Sequence, residues 1–472
     1  MLYFPAMANS LNISRISIGA DDLGPGLWWA WIYCTWFTPT VFGSNAEQTG
    51  VAVFSDPSWL LSLATCAATL FAMPKLLEKR KFGSRQSIIA ACLVAAGTLA
   101  LGLSVEANEP AAYLAFGAIA TGMGSGVLWA LWGKRFEKRG RDMMALVPLS
   151  ALVAAGCVML ALLLPGAAAL SFAAALPLGS CALLAKRKPP NKQSSAPLDE
   201  IVSLDKKKGR SVLIRLCAAT LAACSVSSFA QATAYGTPNL GLLPSGAVFG
   251  MFLVFCASAP PLFMRRPFNF VKPTRYLLFL EAIALALLIY GNYPALSVAY
   301  FLATAVSVCF DFLLVMYLVA FIEKGFFSST LAFCLSEGFV QVGWLIGNSA
   351  GIAVSRNAYA YEHLNAAYLV LLCLLFLLLV FVVEQQGNAE KMAATTANES
   401  AVKTLAERYS LSKRETEICA LLGQGRSIPF ISDSLFLAKS TVETHVKHVY
   451  AKLDVHSRQE LLSLLERART TR

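Results

Sequence analysis

The stretch Lys439–Leu453, KSTVETHVKHVYAKL, carries the pattern around which the rest of the chain can be organised. At about 3.6 residues per turn, one face of a helix collects Val442, Val446, Val449 and Leu453. The other face carries short polar and cationic side chains, which suit the phosphates and base edges of a DNA major groove. Alone, this pattern indicates only an amphipathic helix, so the flanking sequence has to decide its meaning.

A first helix is predicted upstream, over Leu411–Leu422. Ser412 is a good N-cap, and Glu415 completes the pattern of a capping box. Gly423 and Gly425 follow, as glycines past the C-terminus of a helix do.

Two further helices complete the unit. A short one begins at about Ile428, with Pro429 in its first turn, where a missing N–H costs little. Residues 436–439 form the turn into Lys439–Leu453, and Ser457 opens the last helix. Four short helices, with a tight turn between the second and the third, predict a helix-turn-helix unit.

The residues from Leu411 to about Leu462 resemble the LuxR/NarL/FixJ-type DNA-binding domain. The resemblance is carried by RETEI in the first helix, Gly425, Ile431, Leu435, STVETHVKH in the third helix, Lys452-Leu453 and HSRQEL. It implies that the third helix enters the major groove of double-stranded DNA. It also implies base reading by Glu443, Thr444 and Lys447, and phosphate contacts by Lys439, Ser440, Thr441 and Lys452.

The chain departs from the family pattern at three places. Ala438 stands where a small or polar N-cap is usual before the third helix, so we expect Ser440 to cap one turn late. Pro429-Phe430 replaces a charged pair and leaves an aromatic ring that could face a partner. Glu443 repels phosphates and accepts a hydrogen bond from cytosine N4, so the preferred DNA site cannot be taken from relatives.

The fourth helix commonly supplies a dimer contact in this family, and we expect a homodimer on DNA through residues 457–466. Leu461, Leu462, Leu464 and Leu465 offer more apolar surface than one side of a helix needs. The alternative, that all four pack inside their own domain, stays open. From residue 405 onward, eleven Lys and Arg stand against eight Asp and Glu. This balance is modest, so affinity should depend on pairing two domains.

The rest of the chain has the composition of a membrane protein. Of its 472 residues, 57% are hydrophobic and 14% are charged, and the charges fall in short bursts between long apolar runs. Segments of about 17–25 residues span a hydrocarbon core of about 30 Å. Twelve candidates are predicted at 24–42, 57–77, 87–105, 111–132, 143–164, 167–185, 211–235, 243–264, 275–291, 294–321, 331–352 and 364–383.

The basic residues of the loops predict the orientation. If the N-terminus is cytoplasmic, the cytoplasmic loops carry 23 Lys and Arg, whereas the opposite side carries Arg356 alone. Because the number of spans is even, the C-terminus is then cytoplasmic too. We therefore predict a multi-pass protein of the bacterial cytoplasmic (inner) membrane with both termini in the cytoplasm.

The longest connection, 186–210, is polar and basic, and it divides the spans into two sets of six. This layout resembles the major facilitator superfamily. The predicted fold class is all-α, a polytopic membrane helix bundle followed by a four-helix DNA-binding domain. The predicted parts are an N-terminal segment 1–23, a first half 24–185, the linker 186–210, a second half 211–383, a linker 384–404 and the helix-turn-helix domain 405–472.

Charged residues inside the predicted spans indicate function, because a charge at the bilayer centre costs about 2.5–3.5 kcal/mol. Four are found, at Arg215, Glu281, Asp311 and Glu337. Arg215 can reach the cytoplasmic surface. Glu281 and Glu337 lie about two turns in from that surface, and each is either a ligand contact or a structural residue. Asp311 is the deepest and the best candidate to touch a ligand, a cation or a proton. The first span also holds four tryptophans, Trp28, Trp29, Trp31 and Trp36. They belong either to an interfacial aromatic belt or to a ligand cage, in which Trp31 and Trp36 would be the ligand contacts.

Catalytic and metal-binding signals are absent from the sequence. It has no Walker loop, nucleophile elbow or kinase motif, and its twelve cysteines form no CxxC pair or His/Cys cluster. We therefore predict no enzyme activity, no cofactor and no metal. The mid-span glycines Gly122 and Gly126 indicate close helix packing rather than nucleotide binding.

The favoured hypothesis is a membrane-bound one-component transcriptional regulator. Its bundle would sense a small-molecule effector, and its helix-turn-helix would bind promoter DNA. The alternative is a secondary transporter of the major facilitator type with an autoregulatory DNA-binding tail, in which Asp311 and Glu281 couple transport. An adaptor without a ligand is a third hypothesis.

Overall fold

The computed structural model describes residues 20–38, 40–41, 57–79, 84–104, 110–137, 143–185, 206–234, 243–264, 271–289, 293–323, 329–355, 370–372, 374, 399–435 and 437–470. These residues form helices and turns, with no strand among them. The all-α fold class is therefore confirmed. The chain divides into two compact units, one containing Ile13–Phe263 and Asn269–Phe381 and the other containing Val382–Arg472.

The first unit is a multi-pass membrane bundle. Eleven of its helices are described, each corresponding to a predicted span. They are α1 (Gly24–Trp36), α2 (Pro57–Lys79), α3 (Ser84–Leu103), α4 (Pro110–Glu137), α5 (Met143–Leu163), α6 (Gly166–Ala185), α7 (Lys206–Ala234), α8 (Leu243–Met264), α9 (Val271–Leu288), α10 (Tyr293–Glu323) and α11 (Ser329–Ser355). Within the described residues, eight are long and apolar enough to cross a membrane, namely α2 to α7, α10 and α11. The predicted twelfth span, 364–383, lies mostly outside the described residues.

The first helix is shorter than predicted, because it ends at Trp36 rather than near residue 42. The Thr38 hydroxyl donates to the carbonyl of Cys34 at 2.6 Å and accepts from the backbone N–H of Thr40 at 3.2 Å. These local hydrogen bonds replace the helical ladder. Pro39 also disfavours a helical backbone at the residue before it. The 13 residues of α1 extend about 20 Å, less than the hydrocarbon core of about 30 Å.

Small residues let α4 approach α2 closely, as the sequence predicted. A Cβ atom at Gly126 would lie 2.8 Å from the Cβ of Thr69, and one at Gly122 would overlap the Thr65 hydroxyl and the Ser62 carbonyl. Any side chain at these two glycines would push the helices apart. The predicted packing role of Gly122 and Gly126 is therefore confirmed.

The same arrangement joins α11 to α7, and the sequence analysis missed it. A Cβ atom at Gly343 would lie 2.8 Å from the Leu221 carbonyl oxygen, and one at Gly347 would overlap the Ser225 carbonyl. The signal was present, because glycines four residues apart lie on one face of a helix.

The second unit contains α12 (residues 399–408), α13 (Lys413–Gly423), α14 (Ile428–Leu435), α15 (Lys439–Leu453) and α16 (Arg458–Thr470). Its core consists of Ala401, Val402, Leu405, Ile418, Cys419, Leu422, Ile431, Val442, Val446, Val449, Leu453, Val455, Leu461 and Leu465. Ala401 and Val402 belong to this core although they precede the predicted boundary at residue 405. Because the core is closed within the unit, we expect residues 399–472 to fold by themselves.

The predicted capping box of α13 is present and is tied to α15. The Ser412 N–H donates to Glu415 Oε2 at 2.7 Å, and the Glu415 N–H donates to the Ser412 hydroxyl at 3.3 Å. Lys452 Nζ donates to the same Glu415 oxygen at 2.6 Å. This hydrogen bond, more than the one from Ser412, lowers the pKa of Glu415 to about 2. The helix then ends at Gly423, and Gly425 has a φ of +83°, as predicted for glycines past a helix.

We predict that Glu415→Gln destabilises the fragment 399–472 by roughly 1–2 kcal/mol, because it loses a charge-assisted hydrogen bond whose lysine is partly exposed. Glu417→Gln is the matched control, since Glu417 pairs with Arg414 on the surface with side-chain exposures of 38% and 44%. That change should cost about 0.5 kcal/mol or less. Urea unfolding at neutral pH measures both, and equal costs would contradict the assignment.

The low pKa of Glu415 also predicts how the stability of the fragment changes at acidic pH. A depressed carboxyl pKa stabilises the fold above the ordinary value of 4.5, and this contribution disappears as the pH falls towards about 2. The stability of the wild-type fragment should therefore fall more steeply than that of Glu415→Gln across this range. Parallel pH profiles would show that the ion pair does not form in solution.

Candidate nucleic-acid interface and buried acidic site

Helix α15 has one buried and one exposed face. Val442, Val446, Val449 and Leu453 lie in the core, so the predicted apolar stripe is confirmed. All seven predicted DNA contacts are exposed, namely Lys439, Ser440, Thr441, Glu443, Thr444, Lys447 and Lys452.

The start of α15 differs from the prediction, because Ser440 does not cap it. The N-cap is Ala438, with an extended backbone and no side-chain hydrogen bond. Ser440 lies within the helix, and its carbonyl accepts from the Thr444 hydroxyl at 3.0 Å. Ala438 supplies no side-chain acceptor, so no N-cap side chain accepts hydrogen bonds from the N–H groups of the first turn. These groups form the positive end of the helix dipole. Such an end suits a phosphate group.

Lys452 differs from the other predicted contacts because its ammonium group is engaged within the fold. Besides Glu415, it donates to the backbone carbonyl of Ser410 at 3.2 Å. Ser410 lies just before α13, and Glu415 lies in its first turn. Lys452 thus holds α13 and α15 together, whereas no described ion pair involves Lys439 or Lys447.

Phe430 is exposed, as the sequence predicted. The residue has a relative exposure of 42%, and the guanidinium carbon of Arg426 lies 4.5 Å from the centroid of its ring. The stacked cation covers one face of the ring and lowers the cost of leaving it in water.

The four leucines of α16 divide into two pairs. Leu461 and Leu465 are fully buried in the core of their own unit. Leu462 and Leu464 are half-buried, and Leu464 packs against that core. Most of the apolar surface of α16 is therefore used internally, which leaves Leu462 as the residue most available to a second copy.

In the membrane bundle, Asp311 on α10 is buried beside α1. Trp29 Nε1 donates to Asp311 Oδ2 at 2.9 Å, and the Tyr33 hydroxyl lies 3.5 Å from the same oxygen. The Trp29 ring also packs on Phe312 with a centroid distance of 4.2 Å. Asp311 therefore joins a helix of the first predicted half to one of the second.

Glu281 on α9 and Glu337 on α11 are each only 1% exposed. Glu337 interacts electrostatically with Asp311. Cys224 on α7 lies near Asp311, Glu337 and Glu281. The structure thus brings the three predicted carboxylates into one region of the bundle.

Trp31 and Trp36 pack against other residues of the first predicted half. Trp31 Nε1 donates to the Thr98 hydroxyl at 2.9 Å, and its ring stacks on Trp28 at 4.8 Å. The Trp36 ring packs against Trp59 at 4.8 Å. Both are at most 2% exposed, so their observed role is packing between helices.

The C-terminal unit is similar to a known protein family. The family model described as "Bacterial regulatory proteins, luxR family" matches residues 409–465. These residues form a LuxR-family domain. The match contains α13 to α15 and most of α16, so the expected helix-turn-helix is confirmed.

Relatives of the LuxR-family domain are bacterial regulators. The transcriptional regulatory protein LiaR of Bacillus subtilis is 41% identical over 51 residues, which are 11% of this chain and 24% of that protein. The oxygen regulatory protein NreC of Staphylococcus haemolyticus is 44% identical over 52 residues, again 11% and 24%. The chain thus spans about a quarter of the length of these relatives.

Solved structures similar to the chain include membrane transporters. The E. coli fucose:proton symporter FucP shares 14% identity with a TM-score of 0.48, over 80% of this chain and 99% of that one. A bacterial homologue of the iron transporter ferroportin shares 15% identity with a TM-score of 0.49, over 78% and 98%. Because the identities and TM-scores are this low, the evidence for a multi-pass architecture is the set of apolar helices in this chain itself.

Two residues contact Asp311, namely Trp29 and Tyr33. Sequence reasoning missed Tyr33, and it named Trp29 only as one of four tryptophans in the first span. Both lie in the same tryptophan-rich helix as the predicted Trp31 and Trp36. Their spacing of four residues puts them on one helical face, but only the structure shows that this face meets α10.

We predict that Trp29→Phe destabilises the detergent-solubilised protein, because it leaves the buried Asp311 carboxylate without its shortest hydrogen bond, at a cost of about 1–3 kcal/mol. Trp31→Phe is the matched control. It also removes an indole donor, but the Thr98 hydroxyl keeps its bond to the Val94 carbonyl. Thermal unfolding should show the larger loss for Trp29→Phe, and the reverse order would contradict the assignment.

Proposed function

We propose that the protein is a membrane-bound one-component transcriptional regulator rather than an enzyme. Its transmembrane bundle would sense a small molecule, and its LuxR-family domain would bind promoter DNA. The observation that carries the proposal is the two-faced helix α15. Its apolar stripe is consumed by the domain core, and its polar and cationic face is left exposed.

The proposed DNA contacts follow from their positions on that face. Glu443, Thr444 and Lys447 would read base edges in the major groove. Lys439, Ser440 and Thr441 would approach the phosphates together with the uncapped N–H groups of the first turn. Lys452 would add long-range attraction to phosphates, while its contact with Glu415 holds the helix in place.

The proposed assembly is a homodimer on DNA through residues 457–466, centred on the half-buried Leu462. Two domains on one site would compensate for the modest net charge of each. The proposed location is the bacterial inner membrane, with both termini in the cytoplasm. The support is the distribution of Lys and Arg among the loops.

The proposed sensing region is the set of buried carboxylates Asp311, Glu281 and Glu337. Buried ionisable groups in a bilayer are costly and are normally kept for a function. Because Asp311 bonds α1, a ligand that alters this contact would change how the two predicted halves meet. The switch requires that the ligand bind one state of the bundle better than the other.

We predict that Lys447→Ala weakens binding of the fragment 399–472 to promoter DNA by roughly 1–3 kcal/mol if Lys447 reads a base. Lys403→Ala is the matched control, because it also removes one exposed cation and lies on α12 beside Glu407. Electrophoretic mobility shifts on the protein's own promoter region and on fragments selected from genomic DNA measure both variants. No DNA binding by the wild-type fragment at low salt would refute the DNA half of the proposal.

Glu443 yields a prediction of opposite sign. Its carboxylate repels phosphates, so Glu443→Ala should strengthen binding to random DNA. The same change should weaken discrimination at one cytosine position, by about 1–3 kcal/mol. Binding to a selected site and to its single-base variants measures both effects. Unchanged discrimination would show that Glu443 does not read a base.

The second candidate is a secondary transporter whose DNA-binding tail regulates its own synthesis. The observation that favours it is the link from Asp311 to α1 across the two predicted halves, since coupling carboxylates in transporters lie near such interfaces. Substrate uptake into proteoliposomes, abolished by Asp311→Asn, would support transport. Tight binding without uptake would support the regulator.

A further inference from the structure

Glu337 has surroundings that sensing in general does not explain. Both of its carboxylate oxygens are buried without a hydrogen-bond partner, and the residue is 1% exposed. An unsatisfied buried polar group costs about 1–3 kcal/mol, and more if it is charged. Such a group requires an explanation, and a ligand that binds there is the most direct one.

In the part of the chain that the structure describes, no positive side chain forms an ion pair with Glu337. The ion pairs between described residues all lie in the C-terminal unit, at 403–407, 414–417 and 415–452. Asp311 and Glu337 meanwhile interact electrostatically with each other. Two carboxyl groups that share a low-dielectric interior ionise together only at high cost, so a positive group that contacts both would stabilise their charged forms.

Aromatic rings adjoin the carboxylates. Trp29 and Tyr33 approach Asp311, and the Tyr33 ring lies 5.0 Å from that of Phe37. The Phe37 ring in turn packs edge-on against the Trp344 ring, with a centroid distance of 6.2 Å. A row of aromatic rings therefore leads away from the acidic group. Ring faces attract organic cations and solvate their apolar parts.

We propose that Asp311, Glu337, Trp29 and Tyr33 form a binding site for a small organic ammonium ion with an apolar body. The ammonium N–H groups would donate to Glu337 and Asp311, and the body would lie against the aromatic row. A hard metal ion suits the site less, because it needs six or more oxygen ligands and the rings provide none. This inference rests on the proposed sensing function and specifies its ligand class.

Calorimetric titration of the full-length protein in detergent tests the site, with benzylammonium as the probe and benzyl alcohol as its uncharged control. Benzylammonium should bind saturably and benzyl alcohol much more weakly. Glu337→Gln and Asp311→Asn should each weaken benzylammonium binding at least about tenfold, since each removes one charged acceptor. Glu407→Gln removes a carboxylate in the C-terminal unit and should leave binding unchanged.

Thermal unfolding separates a binding role from a structural one. Without ligand, Glu337→Gln should raise the melting temperature, because it removes an uncompensated buried acid while keeping its shape. Benzylammonium should raise the melting temperature of the wild type and not that of Glu337→Gln.

The proposal is overturned if benzylammonium fails to bind, if benzyl alcohol binds as tightly, or if both carboxamide variants bind like the wild type. Retained binding by Glu337→Gln together with a lowered melting temperature would show a purely structural role. DNA binding by the same preparations is measured in parallel. Its loss would refute the regulator proposal and leave the cation site standing.

Discussion

The packing of α15 onto its core is the interaction on which the LuxR-family domain depends. Four apolar side chains of this helix, from Val442 to Leu453, are buried among core residues of the other helices of the unit. Their burial fixes the rotation of the helix and so determines which side chains point outward. The ion pair between Lys452 and Glu415 adds a second fixed point near the C-terminal end. A groove-reading helix needs this rigidity, because base discrimination requires side chains held in one register.

The membrane bundle obeys a different constraint. Without water in the bilayer, every backbone polar group must be satisfied within helices, and helix packing relies on close approach rather than on the hydrophobic effect. The glycines of α4 and α11 meet this requirement. Within this closely packed bundle, burying the three carboxylates costs free energy. Their cost is understandable if a ligand or a proton that meets them changes the balance between two states of the bundle.

Local patterns in the sequence predicted much of this structure. The periodicity of α15, the capping box at Ser412 and Glu415, and the glycines after α13 are local signals, and each was confirmed. The capping of α15 by Ser440 and the length of α1 were predicted wrongly. In both cases short-range backbone geometry, at Ala438 and at Thr38, overrode the pattern.

Contacts between residues distant in sequence were not predictable in this way. Lys452 and Glu415 are 37 residues apart, and Trp29 and Asp311 are 282 apart. Periodicity places each residue on a face of its own helix but does not say which helix that face meets. The structure brings the predicted carboxylates into one region of the bundle. Their aromatic partners, Trp29 and Tyr33, lie in the predicted first span, but the sequence did not show that this span meets Asp311.

The central claim is that the LuxR-family domain and the basic loops share the cytoplasmic side of the membrane. Reporter fusions placed after Val383 and within 186–210 test it most directly. Green fluorescent protein should fluoresce at both positions, and alkaline phosphatase should be inactive at both. Phosphatase activity at the fusion after Val383 would put the DNA-binding domain outside the cytoplasm and contradict the account.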